Sequence, residues 1–161
     1  MKLNIVILLA VTLQRLGELW LSRRNTTRLL AKGAREHSPG HYPLIVAVHA
    51  GWLIALWLLA LDRPVDGFWL AMFVAVELAR VWVLASLGER WTTRIIVLPK
   101  TRLVRRGPYR FVDHPNYLVV VAEIVVLPLV FGLWKVALIF SLLNAAILMI
   151  RITAENTALR R

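Results

Sequence analysis

The sequence predicts an all-α, polytopic membrane protein with five transmembrane helices, a terminal helical hairpin and a cytoplasmic cofactor-binding loop. Three observations lead to this prediction. The 161-residue chain is 59% hydrophobic and has a mean hydropathy of +0.67, which is more apolar surface than a soluble domain of this length can bury. Five apolar stretches approach the roughly 20 residues that cross a bilayer as a helix. Most Lys and Arg residues fall in alternate connections between these stretches.

The predicted spans form one domain over residues 1–161 and cover about 3–21, 42–61, 67–87, 117–132 and 135–151. The first span contains Gln14, Arg15 and Glu18 and is followed by an Arg-rich segment without a small-residue cleavage motif. It is therefore predicted to be a retained span and not a signal peptide.

The last two spans are predicted to form a tight antiparallel hairpin, because only Leu133 and Trp134 separate them. The fourth span is short and contains Pro128. Membrane helices tolerate proline when neighbouring groups satisfy the freed carbonyl. This stretch is therefore kept as the fourth of the five predicted spans.

The basic residues predict the orientation. They concentrate in the first loop, in the third loop and at the C-terminus, whereas the opposite side shows only Lys2, Arg63 and Lys135. Cytoplasmic connections carry the excess of Lys and Arg, so the N-terminus is predicted outside and the C-terminus inside. Topology and attraction to anionic lipid headgroups then explain the net charge of +11, and no nucleic-acid partner is predicted.

The third loop, residues 88–116, is the longest connection and the expected place of function. Within it, residues 93–98 and 102–104 flank Pro99-Lys100-Thr101, which predicts a short hairpin at the membrane interface. The chain contains no cysteine, which excludes disulfides, thiolate metal sites and cysteine nucleophiles. No metal site is predicted.

Ionisable side chains inside the spans are expensive unless they have a partner or a function. Arg15 and Glu18 are three residues apart, as are Glu77 and Arg80, so each couple is predicted to form an ion pair. His49 lies in the second span and is expected to join helices through a polar contact.

Glu123 and Arg151 have no oppositely charged neighbour within their own predicted spans, 117–132 and 135–151. Because they lie on the two adjacent helices of the terminal hairpin, they are predicted to belong to one site. A third candidate, His114, lies where the chain re-enters the membrane. Turn residues, aromatic rings and a titratable ring converge there, in Gly107-Pro108-Tyr109-Arg110 and Asp113-His114-Pro115-Asn116-Tyr117.

At these positions the sequence resembles the isoprenylcysteine carboxyl methyltransferase family, and in particular its short bacterial members. That family shows Gly-Pro-Tyr-Arg, then Arg-His-Pro-x-Tyr, a helical hairpin, and Arg-Ile-x-x-Glu-Glu. The matching residues are Gly107-Pro108-Tyr109-Arg110, His114-Pro115-Asn116-Tyr117 and Arg151-Ile152 followed by Glu155. Two positions depart from the pattern: Asp113 replaces the Arg before His-Pro, and Asn156 replaces the second Glu.

The resemblance implies methyl transfer from S-adenosylmethionine to an oxygen, in a carboxylate or a hydroxyl, of a lipid-like acceptor. It places the protein in the bacterial inner membrane, among membrane lipids, with its site on the cytoplasmic side. Arg151 and Glu155 would be catalytic, and Arg151 and Glu123 would bind the acceptor. A hydroxyl acceptor would need His114 or Glu155 as base. The residues implied in cofactor binding are Gly107, Pro108, Tyr109, His114, Pro115, Tyr117 and Glu155.

Two other functions fit parts of the pattern. Membrane sterol and steroid reductases, which use NADPH, share a similar His-Pro-Asn-Tyr arrangement. In those enzymes an acidic residue follows the tyrosine closely, whereas here residues 118–122 intervene before Glu123. A non-enzymatic membrane protein would explain the charged pairs but predicts no purpose for the motif at 107–117.

Overall fold

Five long α-helices make up most of the protein in the computed structural model, which describes residues 2–99, 101 and 104–158. Lys100, Arg102, Arg160 and Arg161, which the sequence assigns to the basic side, lie outside these residues. The helices are α1 (Leu3–Ala31), α2 (Tyr42–Leu59), α3 (Gly67–Leu87), α4 (Pro115–Val130) and α5 (Trp134–Ala158). Short 3-10 turns lie at Pro39–His41, Gly88–Arg90 and Gly107–Arg110.

Four of the helices, α1, α2, α3 and α5, are long and apolar enough to cross a membrane. Large apolar side chains such as Leu13, Leu58 and Met149 point outward and are exposed on the bundle surface, as expected where lipid is the solvent. The protein is therefore an integral membrane protein. The apolar helix α4 is shorter, with 16 residues, and its crossing remains a prediction.

Helix α1 continues ten residues past the predicted end of the first span. The third loop holds this polar extension in place. Ser22 and Asn25 are each only 2% exposed and make hydrogen bonds to that loop. The Nδ2 group of Asn25 donates to the carbonyl of Trp91 at 2.8 Å, and the Thr93 N–H donates to the Ser22 hydroxyl at 2.8 Å. Satisfied polar groups thus extend the helix beyond its apolar stretch.

The predicted tight hairpin joins α4 to α5. Gly132 lies between them with φ of +67°, a conformation that glycine adopts without strain. The N–H of Leu133 donates to the carbonyl of Pro128 at 2.9 Å, and the N–H of Gly132 donates to that of Leu129 at 3.0 Å. The proline lies in the last turn of α4, so it shapes the end of the helix and leaves its middle unbroken.

Two short strands form the only sheet among the described residues. β1 (Arg35–Glu36) from the first loop pairs antiparallel with β2 (Ile96–Val97) from the third. Within the predicted hairpin, the segment 93–98 thus contains a strand that pairs with the first loop, and its pairing with 102–104 remains a prediction. Arg102 and Leu103 lie outside the described residues. The pairing places the two basic loops on the same side of the bundle.

Candidate functional site

A polar cavity of about 200 Å³ lies under β2 and beside the start of α4 and the end of α5. Its roof comes from the third loop, where Ile95 to Leu98 line it. The other wall carries charged and aromatic side chains close together. The lining includes Arg90, Arg94, Tyr109, Asp113, His114, Asn116, Tyr117, Arg151 and Glu155.

Tyr117 connects Arg151 and Glu155 at the centre of this wall. The Nε group of Arg151 donates to the Tyr117 hydroxyl at 2.9 Å, and that hydroxyl donates to the Glu155 carboxylate. The Arg151 guanidinium also lies 5.5 Å from the centre of the tyrosine ring, within cation–π range. Because α5 continues to Ala158, Arg151 and Glu155, four residues apart, share one helix face as predicted.

His114 extends the same network. Its ring stacks on Tyr117 with centroids 5.2 Å apart and an angle of 16° between the planes. Its Nδ1 atom is 3.9 Å from the Glu155 carboxylate. His114 precedes the first residue of α4, Pro115, whose fixed φ suits a helix start. The helix start therefore determines where this ring stands.

Tyr109 completes the aromatic part of the wall. Burial and the nearby Glu155 carboxylate raise the pKa of the Tyr109 hydroxyl. This hydroxyl therefore remains protonated at physiological pH, so it acts as a neutral hydrogen-bonding group and not as a base.

Gly107 fixes the turn that carries Tyr109. It has φ of +57°, and a Cβ at this position would lie 2.1 Å from the Ser86 hydroxyl oxygen. The turn can therefore pack directly on α3, where the Nε group of Arg106 donates to the Ser86 carbonyl at 2.7 Å. Gly107, Pro108 and Pro115 do not line the polar cavity in the described part of the chain. They position the residues that do.

A second cavity of about 320 Å³, mostly apolar, extends into the bundle between α1, α2 and α5. Apolar side chains such as Val46, Leu53 and Leu148 form much of its wall. The two cavities share five lining residues: Trp91, Thr92, Asn116, Tyr117 and Arg151. A polar compartment and an apolar one therefore meet at Tyr117 and Arg151.

The sequence analysis did not identify Trp91 and Thr92 as site residues. They enter the junction because α1 holds the third loop by the bond from Asn25 to the Trp91 carbonyl. The only local signal for Trp91 was an aromatic residue at the boundary between a span and a loop. Asn116 lies inside the His-Pro-Asn-Tyr motif, so it was easier to predict from the sequence than Trp91 or Thr92.

A buried ion cluster lies on the side of the apolar cavity formed by α1 and α3. Arg80 is only 4% exposed and donates to Glu18 at 2.5 Å and to Glu123 at 2.6 Å. Arg15 donates to Glu123 at 2.7 Å and to Glu18 at 3.2 Å. Two arginines and two carboxylates from three helices thus neutralise each other.

One expectation for these charges is corrected. The predicted pair of Arg15 and Glu18 is present, but Arg80 points to Glu18 and Glu123 instead of Glu77, which accepts from the Gln14 amide at 2.6 Å. Glu123 is held by both arginines of the cluster and not by Arg151, and its predicted part in binding the acceptor together with Arg151 remains a prediction. Except in the pair of Arg15 and Glu18, these side chains take their partners from a neighbouring helix.

Comparison with known proteins identifies similar sequences. The sequence model of the isoprenylcysteine carboxyl methyltransferase (ICMT) family matches residues 69–161. The chain is 37% identical over 152 residues to the uncharacterized protein YpbQ of Bacillus subtilis (strain 168), with 91% of this chain and 90% of that protein covered. It is 26% identical over 151 residues to an uncharacterized protein of Haemophilus influenzae, at 90% and 88% coverage. No solved structure is significantly similar to the chain.

Proposed function

The chain belongs to the isoprenylcysteine carboxyl methyltransferase family, and we propose that it methylates an oxygen of a lipid-like acceptor with S-adenosylmethionine as donor. Family membership makes it a membrane methyltransferase. The observation that carries the more specific proposal is the junction of a polar and an apolar cavity at Tyr117 and Arg151. A methyl transfer between a polar donor and an apolar acceptor requires such a meeting point.

The groups that line the polar cavity fit the chemistry of S-adenosylmethionine. The Glu155 carboxylate, 26% exposed, suits an ammonium group or ribose hydroxyls. The other donors of Arg94 on the roof, whose Nη1 group already pairs with Glu36, suit a carboxylate. The ring of Tyr109 is available to the purine or the sulfonium, whereas the ring of Tyr117 already stacks on His114 and lies next to Arg151. When bound, the cofactor supplies an electrophilic methyl group.

On the acceptor side, Arg151 is the residue best placed to hold the reacting oxygen. Its Nε atom is used by Tyr117, and its two terminal nitrogens have no hydrogen-bond partner among the described residues. A guanidinium that is fixed in orientation by one bond can direct the others at an acceptor oxygen in a charge-assisted contact. The apolar cavity would receive the chain attached to that oxygen.

Proton transfer depends on the acceptor. A carboxylate is already ionised and needs no base, whereas a hydroxyl must lose its proton. Glu155 accepts from the Tyr117 hydroxyl and lies 3.9 Å from His114, so these two residues could hold the released proton. The rest of the rate would come from positioning and from exclusion of water at the junction.

Orientation in the membrane is part of the same proposal. The first and third loops, which carry most of the basic residues, lie on one side of the bundle through the β1–β2 pairing. The excess of Lys and Arg assigns this side to the cytoplasm. The polar cavity would then open toward the cytoplasm, from which the cofactor comes, in the inner membrane of a bacterium.

The direct test is to incubate the purified protein in lipid nanodiscs with methyl-labelled S-adenosylmethionine and a membrane lipid extract. We expect label in the organic phase. The matched control is the Arg151→Ala variant, in which Arg80 is intact, and we expect no label with it. A parallel reaction with NADPH addresses the reductase alternative. Oxidation of NADPH without transfer of label would overturn the proposal.

A further inference from the structure

The apolar cavity contains polar side chains at two levels. At the level of the junction stand Tyr42 on α2 and Arg151 on α5. His49 and Asn144 lie seven residues from Tyr42 and Arg151, respectively, on the same helices and farther from the third loop. They also line the cavity. Seven residues are close to two helical turns, or roughly 10 Å, and bring a side chain back to the same face.

The upper level, formed by Tyr42 and Arg151, has partners within the protein, and the lower level is formed by His49 and Asn144. The Tyr42 hydroxyl is 3.1 Å from the Thr93 hydroxyl, and Arg151 binds Tyr117. The lower level has none: His49 and Asn144 make no side-chain hydrogen bond to any other described residue. The expected joining of helices by a polar contact of His49 is therefore not observed.

Both lower residues are at least partly shielded from the surface. Asn144 is 6% exposed and His49 is half-buried, and the wall around them is apolar, as at Val46, Ile147 and Leu148. A polar group in such surroundings loses free energy unless it finds a hydrogen-bond partner. Two unpaired groups that face one cavity from adjacent helices therefore indicate a polar occupant.

The nearby charges decide what kind of group that occupant presents. Arg15 borders the same part of the cavity, but its terminal nitrogens are taken by Glu18 and Glu123, and only its Nε group is left without a hydrogen-bond partner. The buried cluster is thus internally neutralised and offers little attraction to an anion. An amide and an imidazole instead suit a neutral oxygen, such as that of a ketone, an ester carbonyl or a hydroxyl.

We propose, on the premise of the function proposed above, that His49 and Asn144 bind a second, neutral oxygen of the acceptor. This oxygen would lie roughly 10 Å farther into the membrane than the oxygen that receives the methyl group, as the helix rise dictates. The substrate class is then a long-chain lipid that carries an oxygen function along its chain. A lipid with a plain hydrocarbon tail would leave both side chains unpaired.

The test compares two probes in nanodiscs, with empty nanodiscs as background. One is palmitic acid, and the other is the same acid with a ketone about 10 Å along the chain from the carboxylate, the spacing set by the helix rise. We expect the ketone to strengthen binding about threefold to tenfold, the effect of one or two hydrogen bonds. His49→Leu and Asn144→Leu should each reduce that advantage, and the double variant should abolish it.

Two further variants separate specific recognition from a change of cavity shape. His49→Gln keeps a hydrogen-bonding group and should retain part of the preference for the ketone. Val46→Leu alters the same wall without a polar change and should retain all of it. Equal affinity for the two probes, binding of neither probe, or a preference that survives the double variant would overturn the proposal.

The proposed function is monitored separately, through S-adenosylmethionine affinity measured by calorimetry on the same samples. His49 and Asn144 do not line the polar cavity, so their variants should leave this affinity unchanged. Absence of cofactor binding together with a clear ketone preference would contradict the methyltransferase proposal alone. Normal cofactor binding without a ketone preference would contradict the second subsite alone.

Discussion

Arg151 on α5 donates a hydrogen bond from Nε to the hydroxyl of Tyr117 on α4, at 2.9 Å. The bond ties the start of α4 to the end of α5, between residues that are 34 apart in sequence. It also directs the remaining nitrogens of the guanidinium, because a planar group held at one edge has little freedom at the other. Orientation and charge are therefore two separate contributions of Arg151, and they can be tested separately.

Replacing Arg151 by lysine should preserve the charge and lose the planar fork. We expect methyl transfer to fall on the order of tenfold to a thousandfold, about 1.4–4 kcal/mol in barrier, with cofactor affinity nearly intact. Turnover and calorimetric affinity measured on one preparation check this. Glu155→Ala is the comparison and should instead weaken cofactor binding. Full turnover in Arg151→Lys would exclude the assigned role.

His114 should contribute to cofactor binding through its stacking on Tyr117. His114→Ala removes the ring that packs 5.2 Å from the tyrosine ring, so the aromatic wall loses its order. We expect S-adenosylmethionine to bind about threefold to tenfold more weakly, since aromatic pairs contribute roughly 0.5–1.5 kcal/mol. The melting temperature should change little. Unchanged affinity would mean that the ring only shapes the start of α4.

The buried cluster should contribute to stability more than to chemistry. Arg80→Leu would leave Glu18 and Glu123, which is 1% exposed, with one cationic partner in place of two. Breaking a buried pair of this kind costs about 3–5 kcal/mol. A lower midpoint of thermal or denaturant unfolding in detergent is the expected result. Arg63→Ala, at an exposed arginine, should shift that midpoint hardly at all.

Gly107 should not tolerate a side chain. Gly107→Ala would bring a Cβ to 2.1 Å from the Ser86 hydroxyl oxygen, at φ of +57°, so the turn must move away from α3. Because this turn carries Tyr109, cofactor affinity should fall together with stability. Ser86→Ala removes the clashing oxygen and should restore part of the affinity in the double variant. Without any restoration, the close approach to Ser86 would not be the cause.

Membrane orientation can be checked with reporter fusions. The basic bias predicts that the segments around Lys32 and Lys100 and the C-terminus lie in the cytoplasm. The N-terminus and the loop 62–66 should lie outside, where Lys2 pairs with Asp62 at 2.5 Å. A cytoplasmic signal from residues 62–66 would contradict five spans, and with them the crossing by α4.

Local spacing predicted those parts of the site that a single element or turn brings together. Arg151 and Glu155 are neighbours because they are four residues apart on one helix, and His114 meets Tyr117 at one helix start. The pattern could not predict which helix faces which. Arg80 therefore pairs with Glu18 and Glu123 instead of the predicted Glu77, and β2 pairs with β1 from the first loop. Such contacts depend on packing between segments that are distant in sequence.

The same limit applies to His49 and Asn144. Each was a single polar residue in an apolar stretch, and nothing in the order of residues connected them. Their relation appears only when α2 and α5 are placed side by side around one cavity. The seven-residue distance of each from a junction residue could be counted in the sequence, but the count gained meaning only from the shared wall.

The two cavities draw on different stretches of the chain. Apart from Leu29, the polar cavity is lined by residues from Leu87 onward, whereas α1 and α2 contribute most of the wall of the apolar one. Substitutions at positions of α1 and α2 that line only the apolar cavity, such as Val46 and Leu53, can therefore change its shape without altering the lining of the polar cavity. Mutations in α1 and α2 would alter which lipids are accepted while the methyl donor is retained. A lineage could thus acquire new lipid specificities from one inherited chemistry.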